Sequence, residues 1–126
     1  MSEPGARAFA PGAHLIEAFG GGGFRFAGMS HVGSILATPK GVSDVADLDV
    51  PALARLFAEL DAAPGSVEFV VIGTGAKFAR PPAALADALR ARGLRFEAMA
   101  TGPASRIYNV MIGEGRRVAA LLVAAP

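Results

Sequence analysis

The sequence predicts an α/β fold, a three-layer sandwich in which N-terminal β-hairpins are followed by an αβαβαβ succession. Apolar residues alternate with a period of two in the first third of the chain and then recur at helical spacing. The later strand patterns are separated by helical patterns of about ten residues, which indicates crossovers between parallel strands. The final strand pattern is apolar almost throughout, as in a central strand covered on both faces.

The first third of the chain predicts short antiparallel strands. Residues 14–19 predict a first strand, and four glycines follow at 20–23, where positive φ costs nothing. The alternation in Phe24-Arg25-Phe26 is typical of a half-buried strand. Gly28 predicts a bend, and residues 32–38 predict another strand that stops at Pro39.

The remaining two-thirds alternate helices with strands. Proline within the first turn is typical of a helix start, and it occurs at Pro51, Pro82 and Pro103. The first helix carries an amphipathic stripe. That stripe consists of Leu53, Leu56, Phe57 and Leu60. The strands are predicted at residues 67–72, 94–99 and 117–123. Residues 1–12, rich in Pro, Gly and Ala, are predicted to be a flexible lead-in to a single domain over 13–126.

Composition excludes several functional classes. The chain has no cysteine and two histidines, which argues against disulfides and a structural zinc site. The formal net charge of +1 provides no basic field for nucleic acid. No apolar run approaches the ~20 residues of a membrane-spanning helix. We therefore expect a soluble cytoplasmic protein without cofactor, metal or nucleic-acid partner, and no pattern of a catalytic triad is present.

Two loops form the best candidate for a ligand site. The stretch Gly73-Thr74-Gly75 follows one buried strand, and Thr101-Gly102-Pro103 follows the next and begins the last helix. If the two strands are parallel neighbours, both loops lie at one rim of the sheet, where ligands of open α/β sheets bind. A small anion or carboxylate could be held there. The candidate residues are Gly73, Thr74, Gly75, Lys77, Thr101, Arg106 and Asn109.

The same residues are also compatible with a purely structural role. Gly73-Thr74-Gly75 lacks the third glycine of a dinucleotide site and the Gly-Lys-Ser/Thr of a P-loop, which favours a plain tight turn. Thr101 would then cap the last helix, and Asn109 would hold a neighbouring loop. Glu114 falls among apolar positions, so we expect a structural clamp between Glu114 and the arginines Arg116 and Arg117.

Three stretches resemble a small, widely distributed family of uncharacterised α/β domains that includes the mitochondrial complex I assembly factor 3. They are GGGFRFAGMSHVGSILATP (21–39), FVVIGTG (69–75) and MATGPASRIYNVMIGEGRRVAALL (99–122). The resemblance implies a mixed central sheet, with one strand antiparallel to the others, and no established enzymatic activity or cofactor. The family motif matches Met99, Thr101, Arg106, Tyr108, Asn109, Glu114, Arg116 and Arg117.

Two functional hypotheses follow. In the first, the chain is a non-enzymatic accessory or assembly factor that acts through protein partners, as the mitochondrial relatives do in assembling a respiratory complex. Peripheral association with such a membrane complex is compatible with the absence of an apolar span. In the second, the chain is a binding protein or an enzyme that holds a small molecule or anion at the rim near Thr74, Thr101 and Arg106. The oligomeric state cannot be predicted from these patterns.

Overall fold

The computed structural model describes residues 10–126, which form two β-sheets and three α-helices. The strands in chain order are β1 (Ala10–Pro11), β2 (Ala18–Gly20), β3 (Gly23–Phe26), β4 (Met29–Val32), β5 (Ser34–Thr38), β6 (Gly41–Val45), β7 (Phe69–Gly73), β8 (Arg95–Met99) and β9 (Val118–Leu122). The helices are α1 (Ala54–Ala62), α2 (Ala83–Ala91) and α3 (Thr101–Gly113), and a 3₁₀ helix (Val50–Leu53) precedes α1.

The central sheet has six strands in the order β1-β6-β5-β9-β7-β8. Strand β7 is parallel to both β8 and β9, whereas β5 is antiparallel to β9 and β6. Helices α1 and α2 pack on one face through side chains such as Leu56 and Leu89. Helix α3 packs on the other face, with Tyr108 in the core. The predicted three-layer sandwich with a mixed sheet is confirmed, but two strands, β1 and β5, run antiparallel to the others where the resemblance implied one.

The second sheet, which we call the small sheet, has the order β2-β3-β4 and shares its side of the central sheet with α3. Its two hairpins turn through Gly21-Gly22 (φ 61° and 81°) and Ala27-Gly28 (φ 50° and 73°). Positive φ at both central positions is the type I′ geometry that matches strand twist. Phe24 and Phe26 point into the core shared with α3. The apolar face of the small sheet therefore attaches it to the rest of the domain.

Several element boundaries differ from the predicted ones. The first predicted strand begins only at Ala18, and the single strand predicted over 32–38 is divided at Gly33, whose φ is 104°. Strand β6 was not predicted, because Ser43 and Asp44 interrupt its apolar pattern. Helix α3 starts at Thr101, two residues before the proline that was expected to open it.

Residues 10–12 are not part of a lead-in, contrary to the prediction. Ala10 pairs with Val42 in β6, and the amide of Gly12 donates to the carbonyl of Lys40 over 2.8 Å. Backbone pairing therefore incorporates these residues into the central sheet. The rest of the predicted lead-in, residues 1–9, lies outside the described residues. Across residues 10–126, every helix falls short of the length and apolar character needed to cross a bilayer.

Candidate functional site

The two candidate loops lie side by side, as the sequence predicted. Strands β7 and β8 are parallel neighbours in a register that places Gly73 opposite Met99. Beyond the strands, the amide of Thr74 donates to the carbonyl of Met99 over 2.8 Å, and the amide of Thr101 donates to the carbonyl of Gly75 over 2.8 Å. The loop after β7 and the start of α3 therefore form one rim at the carboxyl ends of the parallel strands.

Thr101 is the centre of this rim. Its side chain is fully buried, and its hydroxyl accepts from the amide of Gly75 (2.9 Å) and donates to the carbonyl of Val123 (2.7 Å). The expectation that Thr101 caps α3 is wrong, because the residue at the cap position is Ala100 and no side chain bonds there. The hydroxyl instead joins the chain segments that follow β7 and β9, and so locks the ends of neighbouring strands together.

Gly73 is required by close packing. A Cβ atom at this position would lie 2.9 Å from Leu122 Cδ2 and 3.0 Å from both Cα and Oγ1 of Thr101. A Cβ contact of 2.9 Å essentially does not occur, contacts of 3.0 Å are rare, and all three atoms belong to fully buried residues. The space between β7, β9 and the first residue of α3 is therefore filled by the protein.

Thr74 organises the loop that leads to α2. Its hydroxyl accepts from the amide of Ala79 (2.9 Å) and lies 3.1 Å from the carbonyl oxygen of Lys77 and 3.2 Å from that of Met99. A hydroxyl has one proton to donate, so it serves one of these carbonyls at a time. The Lys77 side chain is exposed. The Thr74 hydroxyl, which was expected to contact an anion, is therefore occupied by backbone groups of the loop.

Arg106 and Asn109 lie one helical turn apart on α3 and have different surroundings. The Asn109 side-chain amide accepts from the amide of Ile16 (2.8 Å) and donates to the carbonyl of the same residue (2.9 Å). Asn109 thus holds the segment before β2, which confirms the structural alternative for it. Arg106 is exposed and makes no ion pair with any of residues 10–126. Its guanidinium lies beside Gly102, 3.7 Å from the position of a Cβ there.

The predicted clamp between Glu114 and the two arginines is wrong. Glu114 is the exposed residue that ends α3, where water can solvate its charge. Arg116 and Arg117 lead into β9 and both face Glu68, which precedes β7, with N–O distances of 3.6 Å. Because β7 and β9 are parallel neighbours, their starts bring these residues together. All three side chains are over a third exposed, so each pair contributes about 0–1 kcal/mol.

A buried polar network around Arg55 was not predicted. Arg55 is 5% exposed, and its guanidinium donates to five groups on α1, β5 and β6. The acceptors are the Ser43 and Thr38 hydroxyls, the Leu36 and Gly41 carbonyls and the Glu59 carboxylate. The four distances to the uncharged acceptors run from 2.7 to 3.1 Å. One signal in the sequence was available, because Arg55 and Glu59 have the i, i+4 spacing of a helical ion pair.

Burial shifts the pKa of two groups in the core. It lowers the pKa of the Arg55 guanidinium, while the Glu59 carboxylate acts in the opposite direction. Burial also raises the pKa of the Tyr108 hydroxyl well above its usual value of 10.0, and the charge of Arg55 opposes this increase. Tyr108 is fully buried and its hydroxyl has no hydrogen-bond partner among residues 10–126. It therefore remains neutral at physiological pH.

Comparison with known proteins finds relatives that are similar to this chain in sequence and in fold. An uncharacterised protein of Rhodobacter capsulatus is 39% identical over 115 residues, covering 91% of this chain and 88% of that protein. The crystal structure of a protein described as an outer membrane protein of Bartonella henselae is 38% identical with a TM-score of 0.84. It covers 93% of this chain and 99% of that one. The solution structure of the Rpa2829 protein of Rhodopseudomonas palustris is 42% identical with a TM-score of 0.73. It covers 99% and 90% of the two chains.

A family description also matches residues 16–123, which include both candidate loops, Asn109 and the arginines before β9. The matched part contains β2 to β9 and all three α-helices. The chain belongs to this family, the proteins of unknown function described as DUF498/DUF598.

Proposed function

We propose that the chain is a non-enzymatic accessory protein that acts by binding a protein partner through the layer formed by the small sheet. The observation that carries this proposal is the exposure of large apolar side chains between residues 15 and 32. These side chains are Leu15 (50% exposed), Phe19 (41%), Met29 (38%) and Val32 (85%). The strand register places Phe19 and Met29 on the core-facing side of the small sheet, with Phe24 and Phe26, and Val32 on the opposite face. Exposed apolar surface of this kind is typical of protein-interaction sites, and burying it stabilises a complex by roughly 25 cal/mol per Å².

The closed rim supports an accessory role over catalysis. Thr74 and Thr101, the two hydroxyls available there, bond to backbone groups of the rim itself. A catalytic group must instead reach a proton or an electrophilic atom of a substrate. Of the residues that the sequence placed at a ligand site, Thr74 and Thr101 thus have their hydroxyls occupied by bonds to the protein backbone.

A finer proposal concerns the kind of partner. The resemblance of residues 99–122 to assembly factors of a mitochondrial respiratory complex supports a partner that belongs to a respiratory or other membrane complex. The chain would then act from the cytoplasm and associate with that complex peripherally.

The partner-binding proposal predicts the outcome of a co-purification experiment. A tagged chain expressed in its own cells is expected to enrich a specific protein over an untagged control. Leu15→Asp and Met29→Asp should each reduce the recovered partner about tenfold or more, because loss of a well-packed interface side chain costs ~2 kcal/mol. Val50→Asp is the matched control, since Val50 is 40% exposed on the 3₁₀ helix outside the small sheet. Equal recovery with all three variants would contradict the proposal.

A second candidate function, anion binding at the start of α3, is favoured by one observation. Arg106 has no ion pair with residues 10–126 and lies beside the first turn of the helix. However, the amides of Thr101 and Ala104 already donate to backbone carbonyls, and Pro103 has none. The first turn therefore offers an anion only the amide of Gly102 and the Arg106 guanidinium.

This candidate makes its own prediction. Phosphate, or a carboxylate from a metabolite panel, should raise the melting temperature of the native chain, and Arg106→Ala should abolish that increase without changing the melting temperature of the unliganded protein. Stabilisation by a ligand follows its concentration relative to Kd, so a titration to about 100 times Kd would give about 2.7 kcal/mol. Arg95→Ala, another exposed arginine, is the control. Failure of every anion to stabilise the native chain would eliminate the candidate.

A further inference from the structure

The described part of the chain presents four strand edges, and three of them are poorly suited to pair with another strand. Strand β1 has two residues and β2 has three. Strand β8 carries the exposed charges Arg95 and Glu97, a common protection against edge pairing. The fourth edge, β4, has the sequence Met-Ser-His-Val, without Pro, Lys, Arg, Asp or Glu, and Val32 is 85% exposed.

The geometry of the hairpin shows which backbone groups of β4 face outward. A two-residue turn at Ala27-Gly28 makes Phe26 and Met29 a hydrogen-bonded pair. Such pairs alternate with pairs that are not hydrogen-bonded. Ser30 and Val32 therefore turn their N–H and C=O groups away from β3, toward the open edge. These groups can form a ladder with one more strand.

A shallow cavity adjoins this edge. Its volume is about 310 Å³, and its lining includes Gly20, Gly21 and Gly23 together with Arg25 and Val32. Gly23 is required there, because a Cβ atom would lie 2.0 Å from the carbonyl oxygen of His31. Phe19, Phe24 and Val32 add apolar surface to the lining, so the cavity can accept an apolar side chain from an added strand.

Arg25 gives the cavity a positive charge. It donates to the Ser30 hydroxyl over 2.8 Å and makes no ion pair with any of residues 10–126. Because directly opposed residues share a face, Arg25 and Ser30 lie on one face of the small sheet, and Val32 lies on that face too. A second copy of this chain, adding its own β4, would bring only Ser30 and Val32 to that face. It would provide no carboxylate for Arg25.

We propose that β4 binds an extended segment of a partner protein by strand addition. The segment places an apolar side chain in the glycine-lined cavity and a carboxylate next to Arg25. The backbone groups of Ser30 and Val32 supply the ladder, and the cavity and Arg25 supply the sequence preference. This inference rests on the proposed function, since it specifies how the partner is recognised.

The test uses a display library of random peptides of about twelve residues, long enough to cover one strand. The library is selected on the full chain, and enriched sequences are synthesised for binding measurements. We expect enriched peptides to carry an acidic and an apolar residue two positions apart, which places them on one face of a strand. Val32→Pro removes an outward amide without affecting the pairing of β4 with β3, and it should weaken binding about tenfold or more.

Matched variants separate the contributions of the Val32 backbone amide and of the Arg25 charge to peptide binding. Val32→Thr keeps the amide and the branched shape and should bind within about threefold of the native chain, whereas Arg25→Glu should weaken binding about tenfold or more. If Val32→Pro lowers the melting temperature substantially, Val32→Lys takes its place, because a charge on the edge also discourages pairing. The proposal is overturned if no peptide is enriched, or if the enriched peptides bind the edge variant as tightly as Val32→Thr.

Two further outcomes distinguish this inference from the proposed function. A dimer in sedimentation experiments that dissociates in Val32→Pro would identify a second copy as the occupant and overturn the inference. A co-purified partner that persists in Val32→Pro would refute strand addition while leaving the accessory role intact. Peptide binding at the edge together with no co-purified partner would refute the accessory role instead.

Discussion

Replacing Arg55 with Met is expected to lower the free energy of unfolding by about 3–5 kcal/mol, the usual cost of removing one partner of a buried ion pair. The side chains of Arg55 and Glu59 are 4% and 12% exposed, so the variant leaves a largely buried carboxylate without its cation. Domains of this size are stable by about 5–15 kcal/mol. The loss should therefore appear as a large decrease in the urea midpoint at an unchanged m-value.

The double variant Arg55→Met/Glu59→Leu is the control for this prediction. It removes the stranded carboxylate, and apolar replacement of a complete buried pair is often neutral, so part of the stability should return. The return is incomplete, because Thr38 loses the carboxylate that it contacts over 2.7 Å and Ser43 loses the Arg55 Nε donor. If the single variant loses less than ~1 kcal/mol of unfolding free energy, water must solvate the Glu59 carboxylate, which would contradict its observed burial.

Thr101→Val should cost about 2–4 kcal/mol. Valine nearly preserves the shape of threonine but removes the hydroxyl that accepts from the Gly75 amide and donates to the Val123 carbonyl. Each buried polar group left without a partner costs about 1–3 kcal/mol. The change should also increase hydrogen exchange at the Gly75 amide, which reports directly on the rim.

Thr101→Ser provides the matched comparison. It keeps the hydroxyl and removes one buried methyl group, for which we expect a loss of about 1 kcal/mol. The rim amide of Gly75 should then exchange as slowly as in the native chain. If serine and valine destabilise the protein equally, packing of the methyl group, and not the hydroxyl bridge, holds the rim together.

Periodicity predicted the fold well wherever one face of an element is uniformly apolar. The stripe that runs from the 3₁₀ helix into α1 placed Leu53 and Leu56 in the core, where both are fully buried. The apolar pattern of β9 predicted a central strand, and β9 lies between β5 and β7. Periodicity did not predict β6, because Ser43 looks like an exposed polar residue in the sequence. In the structure Ser43 is buried and its hydroxyl accepts from Arg55 on α1. A local pattern contains no information about a polar residue whose partner comes from elsewhere in the chain.

The candidate site was predicted in position but not in chemistry. Parallel pairing of β7 with β8 was sufficient to bring the Gly73 and Thr101 loops together. The bonds that close the rim connect Thr101 to residues 26 and 22 positions away, and no residue spacing in the sequence indicates them. Glu114 shows the same limit, since the arginines expected to pair with it face Glu68 from the neighbouring strand.

The small sheet provides the surface that the closed rim does not. Its glycine turns fix two hairpins, its phenylalanines anchor it to the core, and its outer strand β4 turns the backbone groups of Ser30 and Val32 away from β3. A layer held on one side by the core that exposes Phe19, Met29 and Val32 is suited to bind another protein. The proposed function thus rests on the contrast between the polar groups of the rim, which bond to the protein, and the exposed apolar side chains between residues 15 and 32.

The most direct test of a partner surface on the small sheet is hydrogen exchange of the native chain with and without the co-purified partner. We predict slower exchange across residues 15–32 when the partner is bound, and unchanged exchange in the 73–80 loop and in α2. Slower exchange confined to the 73–80 loop and the first turn of α3, with residues 15–32 unaffected, would place the partner on the rim and contradict the account.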